Sequence, residues 1–324
     1  MPFNLRPPPC ETIDGLRPPL AGFPYFAGAG EFAFQPEATG YSQANAWWLA
    51  DASFLVYGDA AFVQETIRNS PLPDRGFRLD WLGTADDNRG MVLASDAALV
   101  VVFRGTRLQV HSVLDAAEVV LIHQDDFLID GSFLFKPAHT GGRVHAGFLS
   151  AFNEIRDCFD AIVAARQPGQ RLWLTGHSLG GALATLAAAH VGPAALQGVY
   201  TYGAPRVGDS AFAAVLPQRT YHRFVHRDDW VVNVPPAVLG YVHGGTLQSV
   251  SGSKPRCFRG DLATGLQAFR DALLSTARNL RFNTGDLPFQ IGGLADHSPI
   301  YYATLLWNAL VADGSSALPD AHLS

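Results

Sequence analysis

Arg171-Leu172-Trp173-Leu174-Thr175-Gly176-His177-Ser178-Leu179-Gly180-Gly181-Ala182-Leu183-Ala184 runs from an apolar stretch, through a serine flanked by glycines, into an Ala-rich segment that continues to Ala189. Strand, Gly-x-Ser-x-Gly, helix is the context of a nucleophile elbow. A turn that tight leaves no room for side chains at Gly176 and Gly180. It lifts the Ser178 hydroxyl to a sheet edge, above the positive end of a helix. The bare pattern also suits a glycine-rich turn with a helix-capping serine. The rest of the chain decides between the two, because a serine hydroxyl is a poor nucleophile until an imidazole, oriented by a carboxylate, takes its proton.

Working outward from the elbow, Phe77–Leu82 alternates and reads as a strand, and Met91–Ala94 follows the polar turn 86–90. Ala97–Phe103 is a continuous apolar run, as expected of a strand buried on both faces. Phe148–Val163 places Phe148, Phe152, Ile155, Phe159 and Ile162 on one side of a helix. After the elbow helix come strands at Val199–Tyr202 and Tyr221–His226, a helical stretch over 262–280 and a last helix from Pro299 to Leu310. Tyr41–Asn69 reads as helical, with Trp47 and Trp48 as core residues. Strands alternating with helices predict an α/β class chain with a central, mostly parallel sheet flanked by helices. Ligand sites in such folds collect at the carboxyl ends of the strands. Residues 1–40, rich in Pro, Gly and aromatics, read as an irregular N-terminal arm, 41–312 as the main domain and 313–324 as a tail.

The chain has 324 residues, 48% hydrophobic and 16% charged, enough for one large core without staples. Its three cysteines (Cys10, Cys158, Cys257) show no metal-ligand spacing, and the sequence leaves open whether any two pair. The net charge of −6 and the lack of a basic run argue against nucleic acid as a partner. No apolar run approaches the ~18 residues of a transmembrane segment. The first residues, Met1 to Pro9, lack an apolar signal region. That sets the expectation of a cytoplasmic chain, although a trimmed secreted one would look the same.

In an elbow-bearing α/β fold the acid and then the histidine follow the serine. His190 lies about three turns along the elbow helix, His222 and His226 lie in a strand and His322 lies in the tail. His243 and His297 remain. His297 is favoured, because Ser298-Pro299 and an apolar helix follow it, and this places it in a loop just before a helix start. Asp228 and Asp229 follow the second strand after the elbow and are both candidates for the acid. Asp296 reads as a helix N-terminal charge.

These residues bring a resemblance into view. Gly176–Ala184 resembles the elbow of the class 3 lipases, the fungal-type triacylglycerol lipase family of the α/β-hydrolase superfamily. Phe103-Arg104-Gly105-Thr106 resembles that family's oxyanion segment, and Val144-His145-Ala146-Gly147-Phe148 its Val-His-x-Gly-Phe. Tyr202–Gly208 resembles its Gly-x-Pro-Arg-Val-Gly, and Asp296-His297 its Asp-His before the last helix. The offset to Pro235-Pro236 selects Asp229 over Asp228. Val232 and Asn233 depart from the family's usual Pro and His, and Ser112 stands where its lid Trp is usual. The connection 123–143 is longer than in compact members.

The resemblance implies an α/β-hydrolase fold with a helical lid and a Ser178, His297, Asp229 triad, with Leu179 and Thr106 as oxyanion donors. Val110, Val113, Leu114, Ala117, Val120 and Leu121 make an apolar helical stripe within 107–122, which suits either a core helix or the lid. Asp115 stands in the family's lid-hinge place, His145 is expected to support the oxyanion loop, and Arg206 to order its own loop through an ion pair. The implied activity is hydrolysis of acylglycerols or other lipid-like carboxylic esters, with no metal or organic cofactor. The implied partners are a lipid or small ester substrate and, through the lid, a lipid–water interface. A phospholipase A1, a feruloyl-type esterase and an acyltransferase would share the triad. Outside enzymes the alternative is a non-catalytic lipid-binding protein of the same fold.

Overall fold

The computed structural model describes residues 3–10, 12–84, 88–105, 134–229, 231–250 and 295–316. Thr106, the segment 107–122 with Asp115, most of 123–143, the helical expectation over 262–280 and the chain end beyond 316 lie outside the described residues.

The arm contains one short helix, α1 (Ile13–Leu16), and then lies across α2 (Gln43–Leu55). Ser42 starts α2 by accepting the Asn45 N–H on its hydroxyl, and Asp59 starts α3 (Ala60–Asn69) by accepting that of Phe62. The helical stretch expected over 41–69 is therefore two helices, broken at Gly58-Asp59. Helix α2 is buried nearly all round, since the arm covers the side that would otherwise meet solvent.

Strands β1 (Arg78–Gly83), β2 (Asn88–Ala94) and β3 (Ala98–Phe103) form an antiparallel meander. The small hairpin of β4 (Phe135–Pro137) and β5 (Arg143–His145) leads into α4 (Ala146–Ala164). Parallel strands follow: β6 (Arg171–His177), then helix α5 (Leu179–Val191), β7 (Leu196–Tyr202), the short α6 (Ser210–Ala214), β8 (Tyr221–Val225) and β9 (Thr246–Ser249). Helix α7 (Pro299–Ser316) closes the described chain. The seven-stranded sheet has the order β1-β2-β3-β6-β7-β8-β9 and is parallel from β3 onward. This is the α/β-hydrolase arrangement expected of the sequence. The β4–β5 hairpin gave no sequence signal, since its strands have only three residues each, and α1, α6 and β9, also short, were likewise not expected.

Strand β3 is buried at every position, as its unbroken apolar run requires. Its side chains divide between two cores. Leu99, Val101 and Phe103 join Leu172, Leu174, Val199 and the inner faces of α4 and α5. Val100 and Val102 join Trp173, Tyr200, Tyr202 and the residues of α2, α7 and the arm. The parallel register sets Phe103 opposite Gly176 and His177 opposite Tyr202, so three strand ends converge beside Ser178.

Candidate active site

Ser178 sits between β6 and α5 at φ 58° and ψ −127°, a conformation costly for any residue with a Cβ. Its N–H donates to the Tyr202 carbonyl at 3.0 Å, which ties the turn to the next strand. Its hydroxyl does not cap α5, so the reading as a capping serine fails. Both flanking glycines are sterically required. A Cβ on Gly176 would strike the Gly180 backbone, and a Cβ on Gly180 would strike the Phe103 carbonyl. Leu179, as the first residue of α5, has an N–H that no intrahelical acceptor claims.

His297 lies in the turn before α7 and Asp229 in the turn after β8. The His297 Nδ1 is 2.9 Å and 3.0 Å from the two Asp229 carboxylate oxygens, and both residues are buried. A carboxylate can only accept here, so Nδ1 carries the proton and Nε2 is left as the base. Asp229 also accepts the Tyr302 hydroxyl at 2.6 Å and the Val231 N–H at 3.0 Å. Asp228 is half-buried instead and gives its N–H to Asp296 at 3.2 Å. Of the two aspartates, Asp229 is the one in contact with His297. Gly203, at the end of β7 with φ 56°, makes the pair possible: a Cβ there would stand 2.6 Å from Asp229 Oδ2 and 2.9 Å from His297 Nδ1.

The residue before Ser178 is the largest feature that sequence reasoning missed. His177 is fully enclosed, and its ring packs on that of His297 at 4.5 Å. Its Nε2 is 2.7 Å from the His297 carbonyl, which can only accept, so Nε2 bears the proton. Its Nδ1 then accepts the Tyr57 hydroxyl at 2.8 Å. Burial drives the His177 pKa well below the ordinary imidazole value, with the neighbouring His297 adding to the effect, so the side chain stays neutral as a fixed brace. Tyr57 in turn fills the space against Gly105, on the loop leaving β3. One chain of contacts thus joins the β3 loop, the elbow and the His297 loop. No hydrogen bond between Ser178 and His297 is present among the described residues.

Other expectations meet mixed outcomes. Asp296 does not serve the helix end. It accepts the Asp228 N–H and stands 3.5 Å from His226 Nε2, fastening the His297 loop to the Asp229 loop. Ser298 does not spend its hydroxyl on α7 but donates it to the Leu16 carbonyl of the arm at 2.6 Å. Arg206 orders its loop through the Asn233 and Pro235 carbonyls. His145 accepts the Gly147 N–H at 3.1 Å at the start of α4, and the support expected of it for the oxyanion residue Thr106 lies outside the described residues. His243 is committed to the Val232 carbonyl and His190 to Asp160. Tyr302 carried no motif that could have announced it. Trp47 and Trp48 are core residues, as expected.

Residues 100–239 match the family model described as Lipase (class 3). A secreted mono- and diacylglycerol lipase 1 of Fusarium solani is 44% identical over 109 residues, 32% of this chain and 33% of that protein. A lipase of Rhizopus niveus is 32% identical over 188 residues, 54% of this chain and 44% of that protein. The chain thus spans less than half the length of these relatives. A solved triacylglycerol lipase whose catalytic centre is described as a serine protease triad aligns with a TM-score of 0.50 at 23% identity. That alignment covers 71% of this chain and 91% of the other, and it bears on the fold alone. No helix among the described residues is long and apolar enough to cross a membrane. Residues 100–239 are thus similar to the class 3 lipases, within a chain of α/β-hydrolase fold.

Proposed function

We propose that this chain hydrolyses acylglycerols or other lipid-like carboxylic esters through an acyl-enzyme on Ser178. The observation that carries the reading is the buried Asp229–His297 pair, with Nδ1 protonated, set against the residue that precedes a strained, glycine-flanked serine. Ser178 Oγ attacks the ester carbonyl while His297 Nε2 takes its proton, and Asp229 steadies the imidazolium that forms. The alcohol leaves with that proton. A water, activated by the same Nε2, then releases the acid and restores Ser178. The Leu179 N–H is one oxyanion donor and Thr106 the second. In this reading the Ser178–His297 hydrogen bond forms in the substrate complex.

The segment 107–122, hinged at Asp115, is proposed as the lid that covers the acyl site and meets the lipid surface. The proposed organisation is an arm over 1–40, a catalytic domain over 41–312 and a tail from 313. The Fusarium relative is named as a secreted mono- and diacylglycerol lipase, which favours partial glycerides among the candidate substrates and weighs against a cytoplasmic location. A Ser178→Ala protein should lose at least about 1,000-fold in p-nitrophenyl ester hydrolysis and fail to react with a fluorophosphonate. Full activity in that variant would end the reading.

A further inference from the structure

The arm lies outside the family match, yet it is fastened along the helix that follows His297. Arg6 and Asn308 of α7 exchange amide bonds: the Arg6 N–H donates to Asn308 Oδ1 at 2.7 Å, and Asn308 Nδ2 donates to the Arg6 carbonyl at 2.9 Å. Trp307 Nε1 donates to the Asn4 carbonyl at 3.0 Å. The Arg6 guanidinium forms a two-pronged ion pair with Asp51 of α2, at 2.9 Å and 3.1 Å. It also reaches the Ala303 carbonyl at 3.3 Å and lies over the rings of Phe23 and Trp307. The nearest fastening to the site is the Ser298–Leu16 bond, buried at both ends and one peptide bond from His297.

An imidazole that shuttles protons must sit within about 0.5 Å of its working position, and a misplacement of about 1 Å can cost ~100-fold in rate. The His297 ring is held by Asp229 and its carbonyl by His177. The backbone beyond it is held by the arm. We propose that the N-terminal arm is a positioning element for the base. The Ser298–Leu16 bond sets the His297 backbone over the sheet edge, and the Arg6–Asn308 clamp holds α7 behind it. Ser298 touches no reacting atom and acts through His297. The proposal rests on the assignment of Ser178, His297 and Asp229 as the triad.

The test compares Ser298→Ala, Ser298→Thr and the more distant Asn308→Ala in the full chain. Each is measured for kcat and KM on a p-nitrophenyl ester, for titratable sites with a fluorophosphonate, and for Tm. Ser298→Ala should lower kcat per titrated site about tenfold with KM within about twofold, assayed well below its Tm. Ser298→Thr, which keeps the hydroxyl, should recover to within about twofold, and Asn308→Ala should fall about threefold. Unchanged kcat per titrated site with a lowered Tm would make the arm a purely stabilising strap and overturn the proposal. If Ser298→Ala does not fold, Asn308→Ala decides by the same criterion. Failure of the triad assignment looks different: the unmodified chain would not react with the fluorophosphonate, and both readings would fall together.

Discussion

The two faces of the sheet are built from opposite materials. Against one lies α5, where Gly180, Gly181, Ala182, Ala184, Ala187 and Ala188 let backbone approach backbone, close enough that an added Cβ at Gly180 would strike the Phe103 carbonyl. Against the other lie Trp47, Trp173, Tyr200, Tyr202 and Tyr302, with the Arg6–Asp51 ion pair enclosed among them. Ser178, the proposed nucleophile, belongs to the first face and is set by close packing within one stretch of chain. Asp229 and His297, the proposed acid and base, are set by the second, through long side chains that meet across great separations in sequence, Tyr302 reaching Asp229 and Arg6 reaching α7. The difference teaches that the elbow is a local device, whereas the relay that serves it is assembled by tertiary structure.

The largest expected effect lies on the aromatic face. Asp51 is completely enclosed and Arg6 nearly so, and removing one member leaves the other as an uncompensated buried charge. Asp51→Ala should destabilise the chain by about 3–5 kcal/mol, read as a shift in the urea midpoint. A loss below about 1 kcal/mol would mean that apolar packing alone holds this face. On the small-residue face the effect should be lower in stability and greater in activity. Gly180→Ala should cost about 1–3 kcal/mol, because backbone and not a flexible side chain stands in the way of the new methyl. Backing α5 away to relieve that clash also moves the Leu179 N–H, so fluorophosphonate labelling of Ser178 should slow with it. A variant that loses stability yet labels at the original rate would break the link between the packing of this face and the nucleophile.

The same contrast explains what the sequence could disclose. Gly176, Ser178 and Gly180 were legible because strand, turn and helix are contiguous and each imposes its own residue types. Ala98–Phe103 was legible because a strand covered on both faces must be apolar throughout. His297 was singled out by its place before a helix and Asp229 by a motif offset, both being signals of position along the chain, and the two lie in contact. Tyr57, His177 and Tyr302 were not found as working residues, since what singles them out is a partner 120 or 73 positions away. Asp296 and Ser298 were read from the helix they precede. The structure turns them toward the Asp229 loop and the arm, because a nearby tertiary acceptor or donor competes with local capping.

A buried imidazole from each face can be compared, His145 and His226, and acid treats the two alike in stability but not in catalysis. His145, packed on Phe148 beside the α5 face, has its pKa pushed down to about 4 by burial. His226, stacked on Tyr301 of α7, is pushed down to about 4 as well, by burial first and by Arg227 next, with Asp229 pulling the other way. Both are neutral when folded near pH 7, while an unfolded imidazole takes up its proton near pH 6.5. Between about pH 6.5 and 4 the unfolded chain therefore binds more protons than the folded one. The stability these groups contribute is present above that window and lost as pH falls through it. His145→Asn, which keeps an acceptor for the Gly147 N–H, should flatten the acid limb of the stability profile by at most one proton's worth, about 1.4 kcal/mol per pH unit. His226→Gln should flatten it by a similar amount. Only His226→Gln should also lower kcat/KM at pH 7, since His226 stands against Asp296 in the contact that joins the Asp229 and His297 loops. An acid limb equally steep in both variants would show that other groups drive the loss. Equal catalytic effects would erase the functional difference between the two faces.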